Sequence, residues 1–140
     1  MTGVVKAQVT MSPLDLAEHE RLVAVPAAGA VVSFAGVVRD HDHGREVKEL
    51  EYEGHPSAGA VLAEVASDLA KDPHVQAVAV SHRIGLLGIG DTALAAAVAC
   101  PHRAEAFDAC RRLVDEVKAR LPIWKRQLFA DGEEEWVNCP

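Results

Sequence analysis

Aromatic side chains are scarce: three Phe, two Trp and one Tyr among 140 residues. So few rings leave no stacking platform for the bases of a nucleic acid. Cysteine is rarer still, at three residues. Cys100, Cys110 and Cys139 form no CxxC pair and have no histidines at zinc-finger spacing, which excludes a disulfide framework and a zinc site. Cys100 and Cys110 read instead as small core residues. No apolar run approaches the roughly 18 residues of a membrane helix. The opening MTGVVKAQVT has no apolar signal core. A soluble, cytoplasmic protein is expected, with no membrane partner and no cofactor. Chemical motifs are also missing: GLLGIGD lacks the Lys-Ser/Thr of a P-loop and reads as a turn, and no Ser-His-Asp order is recognisable. His41 and His43 have no further ligands at sensible spacing, so no metal is expected there.

What is present is a chain 49% hydrophobic and 25% charged, with a mean hydropathy of +0.05. This suits one globular domain and excludes a disordered chain. Net charge is −7, from 14 Lys and Arg against 21 Asp and Glu. It is unevenly spread. Between Cys100 and Ala130 lie Arg103, Arg111, Arg112, Lys118, Arg120, Lys125 and Arg126, against Glu105, Asp108, Asp115 and Glu116. That segment carries +3 and the remainder −10. An acidic remainder repels nucleic acid, whereas a cationic island suits a small anionic ligand or an acidic tail.

The patterning predicts an α+β fold. Strands are expected over Val4–Met11, Val47–Glu53, Val75–Ser81 and Thr92–Cys100. The apolar run Ala30–Val38 predicts a buried strand. Ser12-Pro13 offers a cap for a short helix ending near Leu22. Residues 57–71 predict a second helix, its stripe read as Ala60, Val61, Glu64, Val65, Asp68 and Leu69, stopped by Asp72-Pro73. A long helix is predicted from Pro101 to Arg120, with a core stripe of Phe107, Cys110, Val114, Val117 and Leu121. Pro122 ends it, and a hairpin turning at Asp131-Gly132 closes the chain. The polar stretch from Arg39 to about 46 reads as an exposed, mobile loop.

Arg39 leaves a strand for that loop, where functional side chains are commonly displayed. His102 and Arg103 open the long helix, whose free N–H groups and positive dipole end favour an anion. Lys118 lies beside the apolar stripe near the other end, where shelter could tune it as acid, base or nucleophile. Lys125 follows on a strand, with Trp124 and Arg126 on the opposite face. His82-Arg83 ends a strand and reads as structural. Fifteen helical steps separate Arg103 from Lys118 by about 22 Å. Both can serve one small ligand only if a symmetric dimer joins one helix start to the other helix end.

Taken in order, Phe34-Ala-Gly-Val-Val-Arg39 with Gly44, Leu50-Glu-Tyr-Glu53, His82-Arg-Ile-Gly85 with Gly90-Asp91, His102-Arg103 with Ala106-Phe107, and Lys118 with Pro122-Ile-Trp-Lys125 resemble the large, catalytic subunit of molybdopterin synthase. The resemblance spans roughly residues 3–137. It implies an α/β-hammerhead arrangement and conversion of cyclic pyranopterin monophosphate (precursor Z) to molybdopterin. Two sulfurs would come from a thiocarboxylate on the C-terminal Gly-Gly of a small ubiquitin-like subunit. A homodimer within a heterotetramer is implied, its pocket shared between large subunits. By the same resemblance Lys118 and Lys125 are catalytic, and Arg39, His102 and Arg103 hold substrate anion. Val37, Val38 and Arg39, with Lys125, Arg126 and Gln127, contact the pterin phosphate. A non-catalytic scaffold binding the small subunit's tail or a phosphorylated pterin is the alternative, and would be marked by loss of a lysine or of His102-Arg103. Many relatives have Glu where this chain has Gln127.

Overall fold

The computed structural model describes residues 3–139. The elements in chain order are β1 (Gly3–Thr10), α1 (Leu16–Val23), β2 (Ala30–Val37), β3 (His41–Asp42), β4 (Arg45–Gly54), α2 (Ala58–Ala70), β5 (Ala77–Arg83), β6 (Gly85–Leu87), β7 (Thr92–Cys100), α3 (Arg103–Arg120), β8 (Ile123–Phe129) and β9 (Glu134–Cys139). They build two sheets. One has the order β1-β5-β7-β2, with β1 and β5 parallel and the other pairs antiparallel. The second runs β3-β4-β8-β9, and β6 pairs with β4 beside it. The α+β expectation holds.

Alternation along β5 and β7 sorts the core into two layers. Val78, Val80, Leu94, Ala96, Val98 and Cys100 face α2 and α3. Ala77, Ala79, Ala97 and Ala99 face the other way, against Val23 of α1. Alanine there keeps the layer thin, so α1 lies close to the sheet. Its anchor is polar. Buried His19 donates from Nδ1 to the Asp15 carbonyl at 2.7 Å, which leaves Nε2 to accept from Ser81 Oγ at 2.7 Å.

Several local expectations need correction. The cap of α1 is Asp15, whose carboxylate accepts from the Ala17 and Glu18 amides; Ser12-Pro13 lies before the helix. Leu62 and Ala66, with Ala58, Val65 and Leu69, form the buried face of α2, while Ala60, Glu64 and Asp68 are exposed. The apolar stripe is therefore turned from the expected one. Gly85–Leu87 in GLLGIGD is a strand, and the turn follows it. The stretch after Arg39 is a hydrogen-bonded hairpin of β3 and β4 rather than an irregular loop. His43 (φ 52°) and Gly44 (φ 73°) both take the left-handed backbone that a two-residue hairpin demands, a signal obscured by histidine at the first place.

The largest correction concerns β2, which among the described residues has a strand neighbour on one side only. Val31, Phe34 and Val37 are exposed in the single chain, although their apolar run reads as buried. Phe107 of α3 is likewise exposed, at 63%, rather than part of the core stripe; with Phe34 it lines a cleft of about 410 Å³.

Candidate active site

A third apolar cluster, of Val38, Leu50, Leu87 and Ala93 with Tyr52 packed on it, lies where the two sheets meet. Above it opens a cavity of about 290 Å³. Its polar lining comes from Arg39 after β2, Asp42 of β3, Tyr52 of β4, His82 of β5, Lys118 of α3, and Lys125 and Gln127 of β8. Strand alternation explains the last pair: Lys125 and Gln127 share a face, opposite Tyr52 and Leu50 on β4. Val37 and Val38 complete the rim. The Val38 N–H is already committed to the Asp91 carbonyl at 2.9 Å, so Val38 contributes wall rather than a free donor.

Arg126 stands on the other face of β8, paired with Glu51 at 3.2 Å and Glu134 at 2.7 Å, and does not join the cavity. His102 and Arg103 are exposed at the start of α3 and do not line it either. His102 is the N-cap, and its side chain makes no capping bond. The helix from Arg103 to Arg120 is unbroken, so the separation of Arg103 from Lys118 by about 22 Å stands. Lys118 is exposed in the single chain rather than sheltered among apolar neighbours.

Ion pairing resolves the cationic island. Arg112 binds Asp72 and Asp108, Arg120 binds Asp68, Glu64 and Glu116, and Arg111 binds Asp115. With Arg126 also paired, Arg103, Lys118 and Lys125 are left without a salt bridge among the described residues. Three unpaired cations, two of them at one cavity, are available to a mobile anion.

His82, which its place at a strand end marks as structural, is part of the cavity wall. It is 1% exposed, with its ring edge-on to Tyr52 at 4.9 Å between centroids. Nδ1 donates to the Arg83 carbonyl at 2.8 Å, which leaves Nε2 as the lone-pair nitrogen of the neutral ring. Burial, opposed by that bond and helped by the charge of Lys118, pushes its pKa down to about 4. The neutral form is the one the fold accepts. The unfolded chain binds the proton from about pH 6.5 downward and the folded chain only near 4, so stability is complete above pH 6.5 and declines as pH falls towards 4. A shift of that size costs about 3 kcal/mol at the acid end. Urea midpoints at pH 7 and 4.5 should differ more for the native chain than for His82→Gln; equal differences would remove His82 as the source.

Among the described residues no cluster of His, Cys, Asp and Glu could hold a metal ion. No helix described is long and apolar enough to cross a membrane. Burial raises the thiol of Cys110, to about 11, so it is no nucleophile at neutral pH.

The fold is an α+β domain whose small cavity gathers two lysines, an arginine and a buried histidine around one aspartate. Comparison with known proteins narrows this further. The MoaE protein family profile matches residues 9–120. A molybdopterin synthase catalytic subunit from Nostoc is 41% identical over 93% of this chain and 80% of its own length. One from Bacillus subtilis is 34% identical over 94% and 83%. A crystal structure of molybdopterin synthase from Staphylococcus aureus superposes with a TM-score of 0.86 at 32% identity, covering 94% of this chain and 96% of that one. The chain belongs to the MoaE family, that of the molybdopterin synthase catalytic subunits.

Proposed function

We propose that this chain catalyses the molybdopterin synthase reaction: cyclic pyranopterin monophosphate is converted to molybdopterin by insertion of two sulfurs. The sulfurs arrive as a thiocarboxylate on the C-terminal Gly-Gly of a small ubiquitin-like subunit. The observation that carries this reading is the convergence of Arg39, Lys118, Lys125 and Gln127 on one cavity in a chain of this family. Arg39 holds the substrate phosphate. Lys118 lies nearest the carrier's terminal carbonyl and stabilises the oxyanion formed when sulfur is transferred. Lys125 assists proton transfer.

His102 and Arg103 enter the same site from a second copy of the chain. Two features support a homodimer: the unpaired edge of β2 with its exposed Val31, Phe34 and Val37, and the helix length that keeps Arg103 from its own Lys118. One small subunit at each large subunit then gives a heterotetramer, working in the cytoplasm. The test mixes the purified chain with thiocarboxylated small subunit and the cyclic phosphate, and assays the dithiolene product. Product is expected. None, where an established synthase works, would overturn the reading and leave the scaffold alternative.

A further inference from the structure

Asp42 is the only carboxylate among the described residues lining the cavity, and it stands where the proposed substrate's anion is to bind. Left to repel that anion it would only weaken binding. Its contacts give it another part. Oδ1 accepts from Arg39 Nη2 at 3.0 Å, and Oδ2 accepts from Gln127 Nε2 at 2.7 Å, with His43 Nε2 3.5 Å from Oδ2. The Asp42 side chain is 15% exposed while that of Arg39 is 67% exposed, so the carboxylate is the fixed end of the pair. The hydrogen bond from Gln127, then the charge of His43 and Lys125 and the bond from Arg39, outweigh partial burial and hold its pKa below the ordinary aspartate value.

An ionised carboxylate only accepts, so Gln127 must turn its amide nitrogen to Asp42 and its carbonyl oxygen away. Asp42 is in turn held in place by its hairpin. Across the sheet, Arg45 lies 3.8 Å from the Phe129 ring centroid and pairs with Asp131 at 3.0 Å and Glu133 at 2.9 Å. The hairpin thus delivers one acceptor to two donors on different elements.

We infer that Asp42 is a positioning residue: it orients Arg39 and the Gln127 amide so that the cavity is set for phosphate before substrate arrives. This rests on the reaction proposed above. It also makes residues 42 and 127 a matched pair, one acceptor and one donor, so exchanging the roles should preserve the arrangement.

The test compares the native chain with Asp42→Asn, Gln127→Glu and the double variant, each assembled with thiocarboxylated small subunit. Asp42→Asn replaces the obligate acceptor with an amide that can donate or accept, freeing Gln127 to flip, and Gln127→Glu sets carboxylate against carboxylate. Each should raise KM for the cyclic phosphate about tenfold, the worth of one hydrogen bond to a charged group, with kcat changed less than about threefold. The double variant should return KM to within about threefold of native, because donor and acceptor are restored with the same net charge. KM within about twofold of native for both single variants, or a double variant showing the product of their losses, overturns the inference. A general loss of structure would lower unfolding temperatures without that recovery. If the native chain makes no molybdopterin, the reaction assignment fails separately. Calorimetric titration of inorganic phosphate into the same four proteins then decides the role of Asp42 by the same pattern of loss and recovery.

Discussion

Lys118→Ala is expected to reduce molybdopterin formation by about a thousandfold or more, the scale of removing a group that stabilises developing charge or moves a proton. The native fold should survive. Lys118 is exposed, forms no salt bridge among the described residues, and lies on α3 beside buried Val117, which carries the packing at that turn. An exposed substitution of this kind changes stability by no more than about 0.5 kcal/mol. Thermal unfolding and solution mass should therefore match the native chain while product disappears from the assay. Lys118→Arg sharpens the test. It keeps a cation near the carrier's carbonyl, so it should retain far more turnover than the alanine variant, as the oxyanion role requires. Near-native turnover of the alanine variant would remove Lys118 from its proposed role.

The second large effect is a recovery. Arg103→Ala and Lys118→Ala should each be almost inactive alone. Unfolded together and refolded as a mixture, they should regain about a quarter of native activity, because half of randomly assorted dimers are mixed and each mixed dimer holds one intact site. The prediction depends on α3 running unbroken from Arg103 to Arg120, which puts its two ends beyond the reach of one small ligand. Activity in the mixture no higher than the mean of its parents would mean that each pocket is completed within one chain.

Much of this site was legible in the sequence because strand alternation and helix rise are rigid rules. They separated Lys125 from Arg126 and Arg103 from Lys118, and the structure keeps both separations. The resemblance drew Gln127 and Arg39 together, but the acid joining them lay in a segment read as a loop. Its turn has histidine where glycine or asparagine would have signalled a hairpin, so Asp42 had no assigned direction. His82 was missed for a different reason. Periodicity can predict that a strand residue is buried, but not that the buried wall borders a cavity in which another sheet supplies Tyr52. Charge counting also had a limit. It found the island between Cys100 and Ala130, yet the acids that neutralise much of it, Asp68, Asp72, Glu51 and Glu134, come from other segments.

The open edge of β2 has a consequence for how damage to this protein would show itself. An apolar strand edge with free backbone groups is a template for further strand addition, and Val31, Phe34 and Val37 are displayed along it. If the proposed dimer covers that edge, any substitution that loosens the dimer will release sticky monomer as well as open the pocket. Such variants should be lost to aggregation and degradation in the cell, and low yield would precede any measurable change in turnover.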